Sequence, residues 1–189
     1  MNNQNEKLVE GNTYRLGGYD WIVAEIRGNC AVLQSCGVTS GSWPGFTMPE
    51  FGAGDEYDKD IDGLDIHTYD DKMSDLYVRI KNAEYKDAEY GRGLYLVSGK
   101  KTKSENTEEQ GSDNYWKALK TAAENYSSFG ASNSASWLGT VNGSNHVWYV
   151  YSGGNVNYYG NRDHSFVLAP AFNLNQSKVE IQGDEIVII

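Results

Sequence analysis

The chain has 189 residues, a formal charge of −10, a pI near 4.7, only three prolines, and an aromatic share of 13% that includes 14 tyrosines and five tryptophans. That composition excludes an intrinsically disordered polypeptide, and the length suits one domain with one sizeable core. The acidic balance disfavours nucleic acid or an anionic membrane as partner, since neither gains counterion release or attraction from such a surface.

The opening residues 1–10 are polar and are expected to form a disordered tail, leaving residues 11–189 as a single domain. No apolar h-region follows the first residues, so no ordinary secretion signal is expected. Synthesis in the cytoplasm is expected, with a phage particle or signal-less export as routes to a virion or a bacterial surface. No run is long and apolar enough to span a bilayer, so no membrane insertion is expected either.

Two β-rich runs, Tyr19–Ile26 and Cys30–Gln34, flank an Arg27-Gly28-Asn29 turn and predict a hairpin with Trp21, Val23, Ala31 and Leu33 inside. Tyr14 begins a short preceding strand. Cys30 and Cys36 lack a CxxC spacing and are expected as buried free thiols, with a disulfide as the alternative. Residues 37–54 show no sustained period and read as a long loop pinned by Trp43, Phe46, Met48 and Phe51. The acidic run Asp58–Asp65 starts like a calcium loop, with oxygens at alternating positions and Gly63 at the sixth. Its twelfth position is Tyr69 rather than Glu, so a solvated acidic turn and a noncanonical cation site both stay open.

A helix follows, capped by Asp70 or Asp71, with Met73, Leu76, Tyr77 and Ile80 on one stripe. Leu94–Ser98 reads as a short buried strand, and residues 100–111 as an exposed connection. Asp113–Tyr126 makes a second helix burying Tyr115, Trp116 and Leu119. Both helices are expected on one side of a largely antiparallel sheet, giving an α+β fold. The C-terminal segment is a hairpin around Gln182-Gly183-Asp184, and its last strand is expected beside the Trp21 strand, bringing the termini together.

Between the second helix and that hairpin lies WLGTVNGSNHVWYVYSGGNVNYYGNRDHSFVLAPAFNL, residues 137–174, where aromatics alternate with short polar side chains as in recognition loops. Asn/Gly turns between strands need the same residue types. The order Trp137-Leu138, then VWYVYSGGNV, then LAPAFNL resembles the C-terminal module of the C-type-lectin-like variable proteins of bacterial and phage diversity-generating retroelements. The strings SGSWPGFTMPEFG, DKDIDGLDIHTYDDKMSDLY and YGRGLYLVS also look like the body of such gut-phage or gut-bacterial proteins.

The resemblance implies a C-type-lectin-like fold, with twisted antiparallel sheets and two helices, and a variable binding region at about 137–166. In that family the retroelement alters adenines, so a variable AAC codon reaches Tyr, His, Asp, Arg, Ser, Gly, Leu, Phe or Val but never Trp, Gln, Glu or Lys. Across residues 142–165 there is no Lys, Glu or Gln. The implied ligand-binding face is Asn142, Asn145, His146, Tyr149, Tyr151, Asn157, Tyr158, Tyr159, Asn161, Arg162, Asp163 and His164. The implied scaffold is Trp137, Val147, Trp148, Val150, Val156, Val167, Pro170 and Phe172.

The calcium-binding strings of sugar-binding lectins are missing, so an uncharged aromatic face suits a protein epitope or a stacked glycan instead. No cofactor and no catalytic residue is expected. The cysteine pair of formylglycine-generating oxidases, placed late in their chains, has no counterpart, and His67, His146 and His164 follow no metal-ligand spacing. Three functional readings stand, in this order: a receptor-binding or display protein; an assembly component of a phage tail or cell surface using the same face as a fixed subunit contact; and, last, a hydrolase or lyase. The chain lacks coiled-coil heptads, which points to a monomer.

Overall fold

The computed structural model describes residues 6–44, 58–60, 64–86, 93–102, 112–125, 134–142, 146–161 and 164–189; for 58–60, 142 and 158–161 this covers the backbone. In these residues the chain is a mixed α+β fold of two α-helices and two sheets rich in antiparallel pairs.

The larger sheet grows from the predicted hairpin. Thr13–Leu16 (β1), Tyr19–Arg27 (β2) and Cys30–Ser35 (β3) run antiparallel in succession. On β3 lies Ala171–Asn175 (β12), followed outward by Leu94–Leu96 (β7) and Leu64–Asp65 (β6). On the other edge Val179–Gln182 (β13) and Glu185–Ile188 (β14) form the C-terminal hairpin. The last strand pairs with β1, in parallel, rather than with the Trp21 strand β2. Both edges of β2 are already taken by its sequence neighbours β1 and β3, so the termini meet one strand further out.

Residues 21–24 and 30–35 are buried without a break, the signature of strands covered on both faces. The helices accordingly cover opposite faces of this sheet, not one side. Asp71–Ile80 (α1) is capped by Asp70, whose carboxylate accepts the Met73 amide at 2.8 Å. Its Met73, Leu76 and Ile80 join Leu16, Trp21, Val23, Leu33 and Phe172 in one core cluster. Asp113–Asn125 (α2) puts Tyr115, Leu119 and Ala122 against Ala24, Cys30, Val32 and Tyr95 in the other. Cys30 and Cys36 are buried free thiols.

The smaller sheet is centred on Ala135–Asn142 (β8), with His146–Tyr151 (β9) and then Val156–Asn161 (β10) on one side. On its other side come Phe166–Leu168 (β11), parallel to β8, and Thr39–Gly41 (β4). Asp58–Asp60 (β5) also pairs with β8. The start of the supposed cation loop is therefore extended strand, and Asp65 belongs to β6 in the other sheet; residues 61–63 lie outside the described part. The expected tail is packed at Leu8, which is buried in the core, and at Glu10, whose carboxylate accepts the Ile26 amide at 2.7 Å. The expectation for residues 1–5, and the pins Phe46, Met48 and Phe51, lie outside the described residues, whereas Trp43 is buried as expected.

Three hydrogen bonds hold residues 138–140 of β8: two join it to residues 97–99 beyond β7 of the larger sheet, and the third comes from Trp43, just past β4 of its own sheet. The Gly139 amide donates to the Val97 carbonyl at 2.7 Å, the Gly99 amide to Thr140 Oγ1 at 2.7 Å, and Trp43 Nε1 to the Leu138 carbonyl at 3.0 Å. They are possible because β8 carries extra residues between Trp137 and Val141, where the ladder to β9 slips. No helix among the described residues is long and apolar enough to cross a membrane.

Candidate functional site

Strand alternation decides what β8, β9 and β10 can present. On β9, Val147, Tyr149 and Tyr151 point one way, and His146, Trp148 and Val150 the other. Val150 packs toward α2 with Leu119, Leu138 and Val156, and Trp148 packs against the same cluster. The Trp148 ring lies on the Gly99 backbone so closely that a Cβ there would come within 2.6 Å of its Cε3. The opposite side is also covered: Trp137, in register with Tyr149, is fully buried and donates Nε1–H to the Gly41 carbonyl at 2.9 Å.

Tyr149 is consequently part of the core, only 3% exposed, and not part of the ligand-binding face inferred from the sequence. Its ring meets Trp137 at 6.3 Å and Phe166 at 5.1 Å. A buried phenol needs a partner for its hydroxyl, and here it donates to the Tyr151 hydroxyl at 2.9 Å. Burial first, and that hydrogen bond second, hold the Tyr149 phenol above its ordinary pKa.

From Tyr149 the aromatics step outward. Tyr151 meets it edge to face at 4.7 Å and is half-buried; Phe166, 4.5 Å from Trp137, is half-buried as well. His164 is exposed and stacks on Phe166 at 5.5 Å with the planes 12° apart. Three partly or fully accessible rings, Tyr151, Phe166 and His164, thus stand on a buried Trp137–Tyr149 pair. Phe166 is a member that the sequence reading leaves out. Its signal is its place two residues beyond His164, at the start of a strand that ends in the buried Val167 and Leu168.

At the far end of β9 the register aligns Asp58, Asn142, His146 and Asn161 across four strands. His146 is exposed. Asn157 is half-buried, opposite Tyr149. Between Asn157 and Gly160 the ladder shifts, so that Tyr158 and Tyr159 together stand opposite Trp148. Bulges of this kind re-aim an edge strand. The side chains of Asn142, Tyr158, Tyr159 and Asn161, and all of Asn145, Arg162 and Asp163, lie outside the described part.

Among the described residues no three His, Cys, Asp or Glu side chains gather as a metal set. His67 Nδ1 lies 2.6 Å from Asp65 Oδ1, and its ring is 4.7 Å from that of Tyr77. The neighbouring Ser74 hydroxyl donates to the His67 carbonyl at 3.1 Å, not to its ring, so this pair lacks the bond that would activate a serine. A cleft of about 440 Å³ opens between Leu8, Ile26, Gln176 and Ile181 beside β13, and none of the candidate residues lines it. Comparison with protein-family models, with curated proteins and with solved structures finds no match.

Proposed function

We propose that the chain is a ligand-binding protein of C-type-lectin-like fold whose β9–β10 surface, together with residues 161–166, is diversified by a retroelement to meet varied protein or glycan targets. One observation carries the reading. Trp137, which adenine mutagenesis cannot generate from an asparagine codon, is fully buried, while the reachable His164 is exposed, Tyr151 and Asn157 are half-buried, and His146 is exposed on the other face of β9. Codon and burial agree at these positions; they part at Tyr149, Val147, Val150 and Val156, which are reachable and buried, and at Trp148, which is unreachable and half-buried.

A rigid aromatic ledge backed by a packed tryptophan suits recognition, because ring side chains carry contact area at little conformational cost. The formal charge of −10 makes nucleic acid an unfavourable target. The test compares the full chain with a His146→Ala/Tyr151→Ala/His164→Ala variant on arrays of glycans and of cell-surface proteins, with thermal unfolding of both followed in parallel. Specific binding by the parent that the folded variant loses supports the reading. Binding that survives the triple substitution removes it, and self-association lost in place of binding favours an assembly role.

A further inference from the structure

The hairpin that presents the candidate surface is held at its turn by a residue outside it. Trp116, on the first turns of α2, donates its indole N–H to the Gly154 carbonyl at 2.7 Å. Its ring lies against the same glycine, where a Cβ would stand 2.8 Å from Trp116 Cζ2. Gly154 has a φ of +95°, a backbone state that favours glycine, so the turn can take this shape only if residue 154 has no side chain. The turn closes on itself through the Gly154 amide to the Tyr151 carbonyl at 2.8 Å and the Tyr151 amide to the Asn155 carbonyl at 2.9 Å.

The rest of α2 is fixed elsewhere. The Asn114 side-chain amide donates to the Ala24 carbonyl at 3.2 Å, and the Tyr115 hydroxyl to Glu25 Oε2 at 3.2 Å, both on β2 of the larger sheet. Ser136 Oγ donates to the Leu119 carbonyl at 2.8 Å, which ties the helix to β8. The Lys120 ammonium sits 5.4 Å from the Trp116 ring centre, over its face. The helix is thus anchored on the large sheet and reaches across to the tip of the hairpin in the small one.

We propose that Trp116 is the positioning residue of the β9–β10 hairpin: its grip on Gly154 sets the geometry of the strand pair independently of the side chains the pair presents. This rests on the reading of that pair as a binding surface, and it explains how such a surface tolerates exchange at His146, Asn157 or Asn161. On this proposal the register is set from the turn, through backbone atoms and one glycine.

The test is native-state hydrogen exchange on the full chain, which needs no ligand. Trp116→Phe keeps a ring on Gly154 but removes the donor; Trp116→Leu removes both. Protection of the Gly154 and Tyr151 amides is expected to fall about tenfold in Trp116→Phe and further in Trp116→Leu, with the Val23 and Ser35 amides of the large sheet unchanged. If Trp116→Leu does not fold, Trp116→Phe alone carries the comparison. The second arm places Asp or Tyr at His146, Asn157 and Asn161. Those exchanges are expected to leave hairpin protection intact beside Trp116 and to lower it in the Trp116→Phe background. Unchanged protection in the Trp116 variants, a uniform loss across both sheets, or strictly additive effects of the second set would overturn the proposal. A failed array experiment beside an intact clamp would instead count against the binding reading alone.

Discussion

The Tyr149 hydroxyl donates to the Tyr151 hydroxyl at 2.9 Å, which joins a core side chain to one that reaches solvent. The two tyrosines, two residues apart on one strand face, therefore have opposite roles. Tyr149→Ala empties a filled site and is expected to cost about 3–5 kcal/mol, the range for large aromatic truncations in cores. Tyr149→Phe loses one hydrogen bond and should cost about 1 kcal/mol. Exposed His146→Ala and His164→Ala should stay within about 0.5 kcal/mol of the parent. Urea unfolding of the four variants checks the order.

The joint between the sheets gives a second expectation. Gly99 is approached by Trp148 on one side and donates its amide to Thr140 Oγ1 on the other. Thr140→Val keeps the shape and strands a buried amide, at an expected cost of about 1–3 kcal/mol. Gly99→Ala pushes a methyl into the Trp148 ring and should cost about 1–3 kcal/mol by overpacking. Thermal unfolding measures both, and Trp148 fluorescence should shift only in the glycine variant.

Alkali is expected to weaken the fold. Burial, helped by the charge of Asp20, pushes the Cys36 thiol from 9.0 to about 12. Burial and then the hydrogen bond to Glu84 push the Tyr77 phenol from 10.0 to about 12. Both groups hold their protons more tightly when folded, so their contributions are complete below pH 9.0 and are lost as pH rises toward about 12. Stability measured across that window should fall, and Cys36→Ala should flatten the decline at its lower end.

Glu84 supplies a fourth check. One carboxylate oxygen accepts the Tyr77 hydroxyl at 2.8 Å and the other the Gly93 amide at 2.6 Å. Glu84→Ala removes both acceptors and is expected to cost about 1–3 kcal/mol. Glu84→Gln should cost less while moving the Tyr77 titration down from about 12, visible in the ultraviolet absorbance of its phenolate.

The local parts of the fold were legible because local chemistry writes them. The Gly28-Asn29 turn, the Asp70 cap, the Met73/Leu76/Ile80 stripe and the Gly183 turn each declare themselves within a few residues. Long-range choices were harder to read. The unbroken apolar runs at 21–24 and 30–33 did carry the sign of a sheet covered twice, yet a period-based reading placed both helices on one side. The same difficulty hides the burial of Tyr149, since VWYVY has no clear polar face and only the packing of Trp137 and Phe166 shows the Tyr149 side to be covered. The hold of Trp116 on Gly154 spans 38 residues of sequence, so no local pattern writes it.

The central claim is that a surface around residues 146–164 varies over a fixed Trp137–Tyr149 base. Sequencing the DNA that flanks the gene tests it most directly. The account predicts a near-identical copy of the segment encoding residues 137–166, with adenines in the copy at some of the codons for His146, Tyr151, Asn157, Asn161 and His164, and identity at Trp137, Trp148 and the buried Tyr149. The absence of any such copy, or a copy whose differences fall on Tyr149 and the other core codons, would contradict it.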